Sequence, residues 1–302
     1  MSIVQVNGLK KSFQGLEIIK GLDFNLEEGK CIALLGPNGA GKTTTLRMLS
    51  GLMKPSTGTI NFQNKPINDD IRKYIGYLSQ YPVFYDWMTG LEFLEYVGKL
   101  GGLSNKEAKT RSLELLELVG IIDAKNRKVG KYSGGMRQRL GIAQAIIHQP
   151  QLLMLDEPVS ALDPFGRREV LELLEKLKKQ MTILFSTHIL NDAEEVCDEI
   201  LFLHNGLIVE SGTLDDLKNR HQKSMIDLEF KELPEKYISQ LNENSIFISM
   251  NTDGNRVSLL VTNLEEAKKV IFHLASVHDW PLTKFEISRL TLEDLFMEVV
   301  QK

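Results

Sequence analysis

The chain has 302 residues, more than one comfortable hydrophobic core holds, and its 42% hydrophobic and 25% charged content is that of a water-soluble globular protein with two domains. A net charge of -4 argues against the broad basic face of a nucleic-acid binder, so no nucleic-acid partner is expected. Two isolated cysteines, Cys31 and Cys197, make no CxxC pair, and no apolar run approaches the ~18 residues of a membrane span, which disfavours zinc, redox and membrane-spanning roles.

Along the chain, Ile3, Val4 and Val6 begin a strand that Asn7-Gly8 is expected to turn. A second strand around Phe24–Leu26 ends at Glu28-Gly29. Cys31–Leu35 is continuously apolar, the pattern of a strand buried on both faces of a parallel sheet. A helix is predicted from about Thr43 to Ser50, closed by Gly51, and a further strand at 74–79. Residues 90–148 read as mostly helical, with capping-box spacing at Thr89/Glu92 and Ser104/Glu107. Strands return at 152–155 and 182–186, around a helix at about 165–180, giving an α/β core with a helical insertion.

The pattern changes after residue 223. Strand 225–230, helix 234–241, strands 245–250 and 256–261 joined by Asp253-Gly254, helix 264–277 and strand 282–287 follow, then a helix over 292–300 capped by Thr291. The order β-α-β-β-α-β is that of a ferredoxin-like domain. The expected division is therefore a first domain over 1–220, with a helical part at about 85–148, and a small α+β accessory domain over 224–302.

Gly36-Pro37-Asn38-Gly39-Ala40-Gly41-Lys42-Thr43 matches GxxxxGK[ST] at every fixed position and lies between a buried strand and a helix. Glycines let the backbone wrap a phosphate, and the helix that follows adds its positive end. Lys42 reaches the β- and γ-phosphates, Thr43 offers its hydroxyl to Mg²⁺, and Thr44 completes the nucleotide-binding set. Leu152–Leu155 followed by Asp156-Glu157 would deliver one acid to Mg²⁺ and the other to the attacking water, or else simply end a strand in surface acids. In Tyr132-Ser133-Gly134-Gly135-Met136 a hydroxyl and two glycines bare the backbone N–H groups ahead of a helix, a second anion site.

This last stretch resembles the signature of the ATP-binding cassette (ABC) ATPases, usually LSGGQ, with Tyr132 for leucine and Met136 for glutamine. The resemblance covers residues 1 to about 217. It implies a P-loop ABC ATPase core with an antiparallel β subdomain and a helical subdomain, binding ATP and Mg²⁺. It further implies that Gln80 touches Mg²⁺ and the attacking water, that His188 contacts the γ-phosphate, and that Ser160-Ala161-Leu162-Asp163 crosses a dimer interface. Phe13 resembles the aromatic that stacks on adenine, where tyrosine is more usual. Because one copy's signature closes on ATP held by another, a head-to-tail pair is expected, with a second copy or a similar chain.

The resemblance also implies a separate integral membrane permease, and hence a cytoplasmic protein peripheral on the inner face of the cell membrane. Residues 81–89, carrying Val83, Phe84, Tyr85, Trp87 and Met88, either form the groove that receives the permease or pack the helical subdomain. Residues 132–140, with Thr291–Phe296, resemble the ABC-2 class of export ATPases. The alternative, an ABC ATPase acting on ribosomes or DNA, lacks the tandem cassettes, coiled-coil insertions or cysteine clusters of those types.

Overall fold

A computed structural model describes residues 1–62, 70–220, 224–234, 237, 241 and 246–289. The chain divides into two compact units, Met1–Leu214 and Asp215–Lys302.

The first unit is built on a six-stranded sheet in the order β5-β6-β7-β3-β8-β9. Its strands are β3 (Cys31–Leu35), β5 (Ile75–Leu78), β6 (Leu152–Asp156), β7 (Thr182–Thr187), β8 (Glu199–His204) and β9 (Leu207–Thr213). The first five of these run parallel, and β9 closes the edge antiparallel to β8. Every residue of β3, β6 and β7 is buried, as strands covered on both faces require.

A second, antiparallel sheet has the order β2-β1-β4, from β1 (Ser2–Phe13), β2 (Leu16–Glu27) and β4 (Thr57–Phe62). Its apolar face packs Val4, Val6, Leu9, Leu22 and Leu26 into one core with Ile32 and Leu34 of β3 and Leu46 and Met48 of α1 (Lys42–Leu49). The expected turn at Asn7-Gly8 is not there: β1 continues to Phe13, and its pairing with β2 slips between Val6 and Leu9 instead. That slip is a bulge, which absorbs an extra residue and keeps Val6 and Leu9 both in the core.

The helical part comprises α2 (Gly90–Leu100), α3 (Asn105–Leu118) and α4 (Gly134–Ile146). Both anticipated capping boxes form: Thr89 with Glu92 and Ser104 with Glu107 each exchange two hydrogen bonds. Helix α5 (Pro164–Leu177) connects β6 to β7, and α6 (Leu190–Val196) follows β7. Cys31 and Cys197 are both free and buried.

A short helix, α7 (Leu214–Arg220), precedes the second sheet system. In the second unit β10 (Ser224–Phe230), β11 (Phe247–Asp253), β12 (Arg256–Val261) and β13 (Leu282–Arg289) form an antiparallel sheet in the order β11-β12-β10-β13. With α8 (Leu264–Val277) between β12 and β13, this is the strand order of a ferredoxin-like domain. Ile226, Leu228, Val257, Leu259, Ile271 and Trp280 form its core. The helix anticipated over 234–241 is described only at Pro234, Tyr237 and Leu241, and the helix anticipated over 292–300 lies outside the described residues. Among the described residues no helix is long and apolar enough to cross a membrane.

Candidate functional site

Four parallel strands end on one edge of the sheet, and each delivers a residue anticipated from the sequence. Gly36 follows β3, Gln80 lies just past β5, Asp156 ends β6 and His188 follows β7. Ligand sites in open α/β sheets form at such carboxyl ends.

Two glycines of the loop from β3 to α1 sit where a side chain would collide with its surroundings. Gly36 runs so close to the Leu203 carbonyl that a Cβ would overlap it. Gly41 caps α1 with a φ of 108°, and a Cβ there would strike the Ile19 side chain. The loop thus meets the positive N-terminal end of α1, a ready anion site. Ala40 is buried inside it. Lys42 is buried too, its Nζ donating to the carbonyls of Gly36 (2.8 Å) and Pro37 (3.2 Å).

At the end of β6, Asp156 is buried and its Oδ1 accepts from the hydroxyls of Thr43 (3.1 Å) and Ser186 (2.7 Å). Glu157 adopts a φ of 48°, a strained value for a non-glycine residue. Its N–H holds the strain in place by donating to Ser186 Oγ (2.9 Å) and to the Ser186 carbonyl (3.2 Å). Ser186 therefore fixes both acids, a role hidden in the sequence within the apolar run of β7.

Three groups converge on the Glu157 carboxylate. Lys42 Nζ and His188 Nδ1 stand 3.4 and 3.3 Å from Oε1, and Gln80 Nε2 donates to Oε2 at 3.1 Å. The surrounding cleft, of about 610 Å³, is lined by Phe13, Ile18, Asn38, Gly39, Gly41, Lys42, Thr43, Thr44, Gln80 and Glu157. Ile18 had no signal in the sequence. The volume suits a nucleotide. The hard oxygens of Thr43 and Asp156 are the donor type that Mg²⁺ takes.

The remaining anticipated residues sit elsewhere in the unit. Ser133 caps α4, accepting from the N–H of Met136 (3.3 Å). A second cleft, of about 330 Å³, brings Ser133, Gly134 and Gly135 together with Ala161, Leu162 and Asp163. Asp163 caps α5 through Oδ1, which accepts from the N–H of Gly166 at 2.8 Å. Among the residues lining the two clefts none is shared. Tyr132, in place of leucine, is buried and donates its hydroxyl to the Ala124 carbonyl (2.8 Å). It fits because residue 90 is glycine: a Cβ there would collide with the Tyr132 hydroxyl.

The segment 81–89 divides in two. Phe84 is buried, edge-on to Phe93 at 5.3 Å. Tyr81, Val83, Tyr85 and Trp87 are exposed, with Tyr85 in ring contact with Trp87 (6.0 Å) and Tyr96 (5.8 Å). Backbone bonds from Val129 to Met88 (2.8 Å) and from Gly130 to Asp86 (3.1 Å), with the Arg137–Asp86 ion pair (2.8 Å), tie this surface to the approach to Ser133.

The fold and the phosphate-loop cleft define a P-loop nucleotide-binding ATPase, and comparisons with known proteins narrow the class. Residues 19–160 match the ABC transporter family, and residues 212–300 match the C-terminal domain of DrrA1-3-like ATP-binding proteins. The ABC transporter ATP-binding protein YxlF of Bacillus subtilis is 42% identical, covering 99% of both chains. The daunorubicin/doxorubicin resistance ATP-binding protein DrrA of Streptomyces peucetius is 31% identical, covering 97% of this chain and 91% of its own. The bacitracin transport ATP-binding protein BcrA of Bacillus licheniformis is 40% identical over 74% of this chain and 73% of its own. Among solved structures, an ATP-binding subunit of an ABC transporter superposes with a TM-score of 0.65 at 33% identity, over 72% of this chain and 93% of its own. A dimeric ATP-binding cassette in a post-hydrolysis state with ADP and Pi gives 0.63 at 28% identity, over 70% and 98%. The chain belongs to the ABC transporter ATP-binding family: it is an ATP-hydrolysing transporter subunit that carries a DrrA-like C-terminal domain.

Proposed function

We propose that Glu157 is the general base of ATP hydrolysis and that two copies, head to tail, complete each site. The convergence of Lys42, Gln80 and His188 on the Glu157 carboxylate is the observation that carries this reading. Phe13 stacks on the adenine, while the backbone of Gly36–Gly41 and Lys42 hold the phosphates. Gln80 and His188 orient the attacking water and the γ-phosphate. Glu157 takes the proton as the water oxygen bonds to the γ-phosphorus and ADP leaves, and positioning with charge neutralisation supplies most of the rate. Mg²⁺, when bound, neutralises phosphate charge; Thr43, Asp156 and Gln80 are the residues that hold it.

Ser133, Gly134 and Gly135 line a cleft separate from the phosphate loop, and their hydroxyl and bared backbone N–H groups make it a second anion site. Such a site serves the γ-phosphate held by a partner copy, with Asp163 at the crossing. The dimeric cassette among the structural neighbours supports this reading. Closing on ATP and parting after hydrolysis then drive a separately encoded membrane permease seated on the exposed Tyr81, Val83, Tyr85 and Trp87. The subunit works on the cytoplasmic face of the membrane. The resistance and antibiotic-transport relatives favour export over import.

The test is the molar mass of Glu157→Gln in solution with and without Mg-ATP, by light scattering, alongside its ATPase rate. Dimerisation only with ATP, and turnover at least about 100-fold below the parent, is the expected result. Turnover at the parental rate would show that Glu157 is not the base.

A further inference from the structure

Phe13 stands near the tip of the β1–β2 hairpin, just before Gln14 and Gly15, both of which have positive φ. The residue is 44% exposed, which would ordinarily leave its ring free among rotamers. Lys11 restricts it. The Lys11 ammonium lies 5.0 Å from the ring centroid, over its face. That ammonium is itself anchored, donating to the Lys54 carbonyl at 2.8 Å. Residues 54–56 are in turn fixed to β1: the Ser56 N–H donates to the Lys10 carbonyl (2.8 Å) and the Ser12 N–H to Ser56 Oγ (3.1 Å).

The Phe13 ring therefore has a cation against one face while also lining the nucleotide cleft beside Ile18 and Asn38. A cation draws π density toward itself and holds the ring in place. The opposite face becomes less negative, and so a better stacking partner for an electron-rich purine.

We propose that Lys11 is a positioning residue for base recognition, acting through Phe13 and not by touching the nucleotide. The inference rests on the reading of Phe13 as the ring that stacks on the base. It deepens that reading: recognition at this site is set by a Lys11–Phe13 unit, and a phenylalanine suffices where tyrosine is usual because a fixed cation preorganises it.

The experiment uses the full chain and its Lys11→Met, Lys11→Arg, Phe13→Ala and Lys11→Met/Phe13→Ala variants. Dissociation constants for ADP and for a non-hydrolysable ATP analogue are measured by calorimetry, with KM and kcat for ATP in parallel. Lys11→Met should raise both dissociation constants and KM by the same factor, about two- to five-fold, and leave kcat unchanged. Lys11→Arg should restore parental binding, and the double variant should bind no more weakly than Phe13→Ala. A greater loss for the triphosphate analogue than for ADP would mean that Lys11 acts as a plain positive charge on phosphate and would overturn the proposal. An unchanged dissociation constant in Lys11→Met, or an undiminished Lys11 effect in the Phe13→Ala background, would overturn it as well. If Phe13→Ala itself binds both nucleotides as the parent does, the stacking assignment fails first, and that outcome is separable from the others.

Discussion

Tyr132 shows how one departure from a family pattern becomes intelligible. A tyrosine carries a hydroxyl into a buried place, where an unpaired polar group is costly. Here the hydroxyl donates to the Ala124 carbonyl, and Gly90 vacates the space it needs. Burial accordingly pushes the Tyr132 phenol above its ordinary pKa. Tyr132→Phe keeps the ring and removes the bond, so it should cost about 1 kcal/mol in urea unfolding. Gly90→Ala forces a steric clash and should cost more than Tyr132→Phe. Glu157 departs in another way: its backbone is strained, and Ser186 supplies the bonds that hold it. The sequence marked Glu157 through its place after Asp156, whereas Ser186 gave no sign of its own.

At the scale of elements, α2 and α3 rest on reciprocal caps that satisfy otherwise orphaned N–H groups. Thr89→Ala and Ser104→Ala should each cost about 1 kcal/mol. The Thr89 backbone N–H, and then its hydroxyl, hold the Glu92 carboxyl below its ordinary value of 4.5. The sign follows from linkage. A depressed folded pKa contributes stability that is fully present above pH 4.5 and is lost as pH falls through the lowered folded value. The stability difference between parent and Glu92→Gln, measured by denaturant titration at several pH values, should therefore shrink as pH drops below 4.5. A difference that stays constant through that window would remove Glu92 from the account.

For the whole molecule, the arrangement of surfaces matters more than any single contact. Backbone bonds and the Asp86–Arg137 pair join the exposed aromatic surface to the approach to the signature loop. These bonds make a continuous connection from that surface to the residues proposed to meet the partner's γ-phosphate. Tyr85→Ala combined with Trp87→Ala should leave the ATPase rate of the purified subunit near the parental one and abolish its recovery with membranes that contain the cognate permease. Retention on such membranes would place the permease contact elsewhere.

Much of this protein was legible in its sequence because the decisive information is local. A continuous apolar run specifies a buried parallel strand, a glycine loop followed by lysine and threonine specifies a phosphate cradle, and capping residues three apart specify helix starts. The succession of strands and helix along the second unit was legible for the same reason. Local pattern failed at Asn7-Gly8, where a bulge preserved core burial and outweighed the turn preference of the dipeptide. It was equally silent on contacts between residues far apart in the chain. Only the folded sheet brings Gln80 and His188 to Glu157, sets Ser186 under both acids, and fits Tyr132 against Gly90. Those pairings depend on which strands neighbour one another, and that is decided by the packing of the whole core.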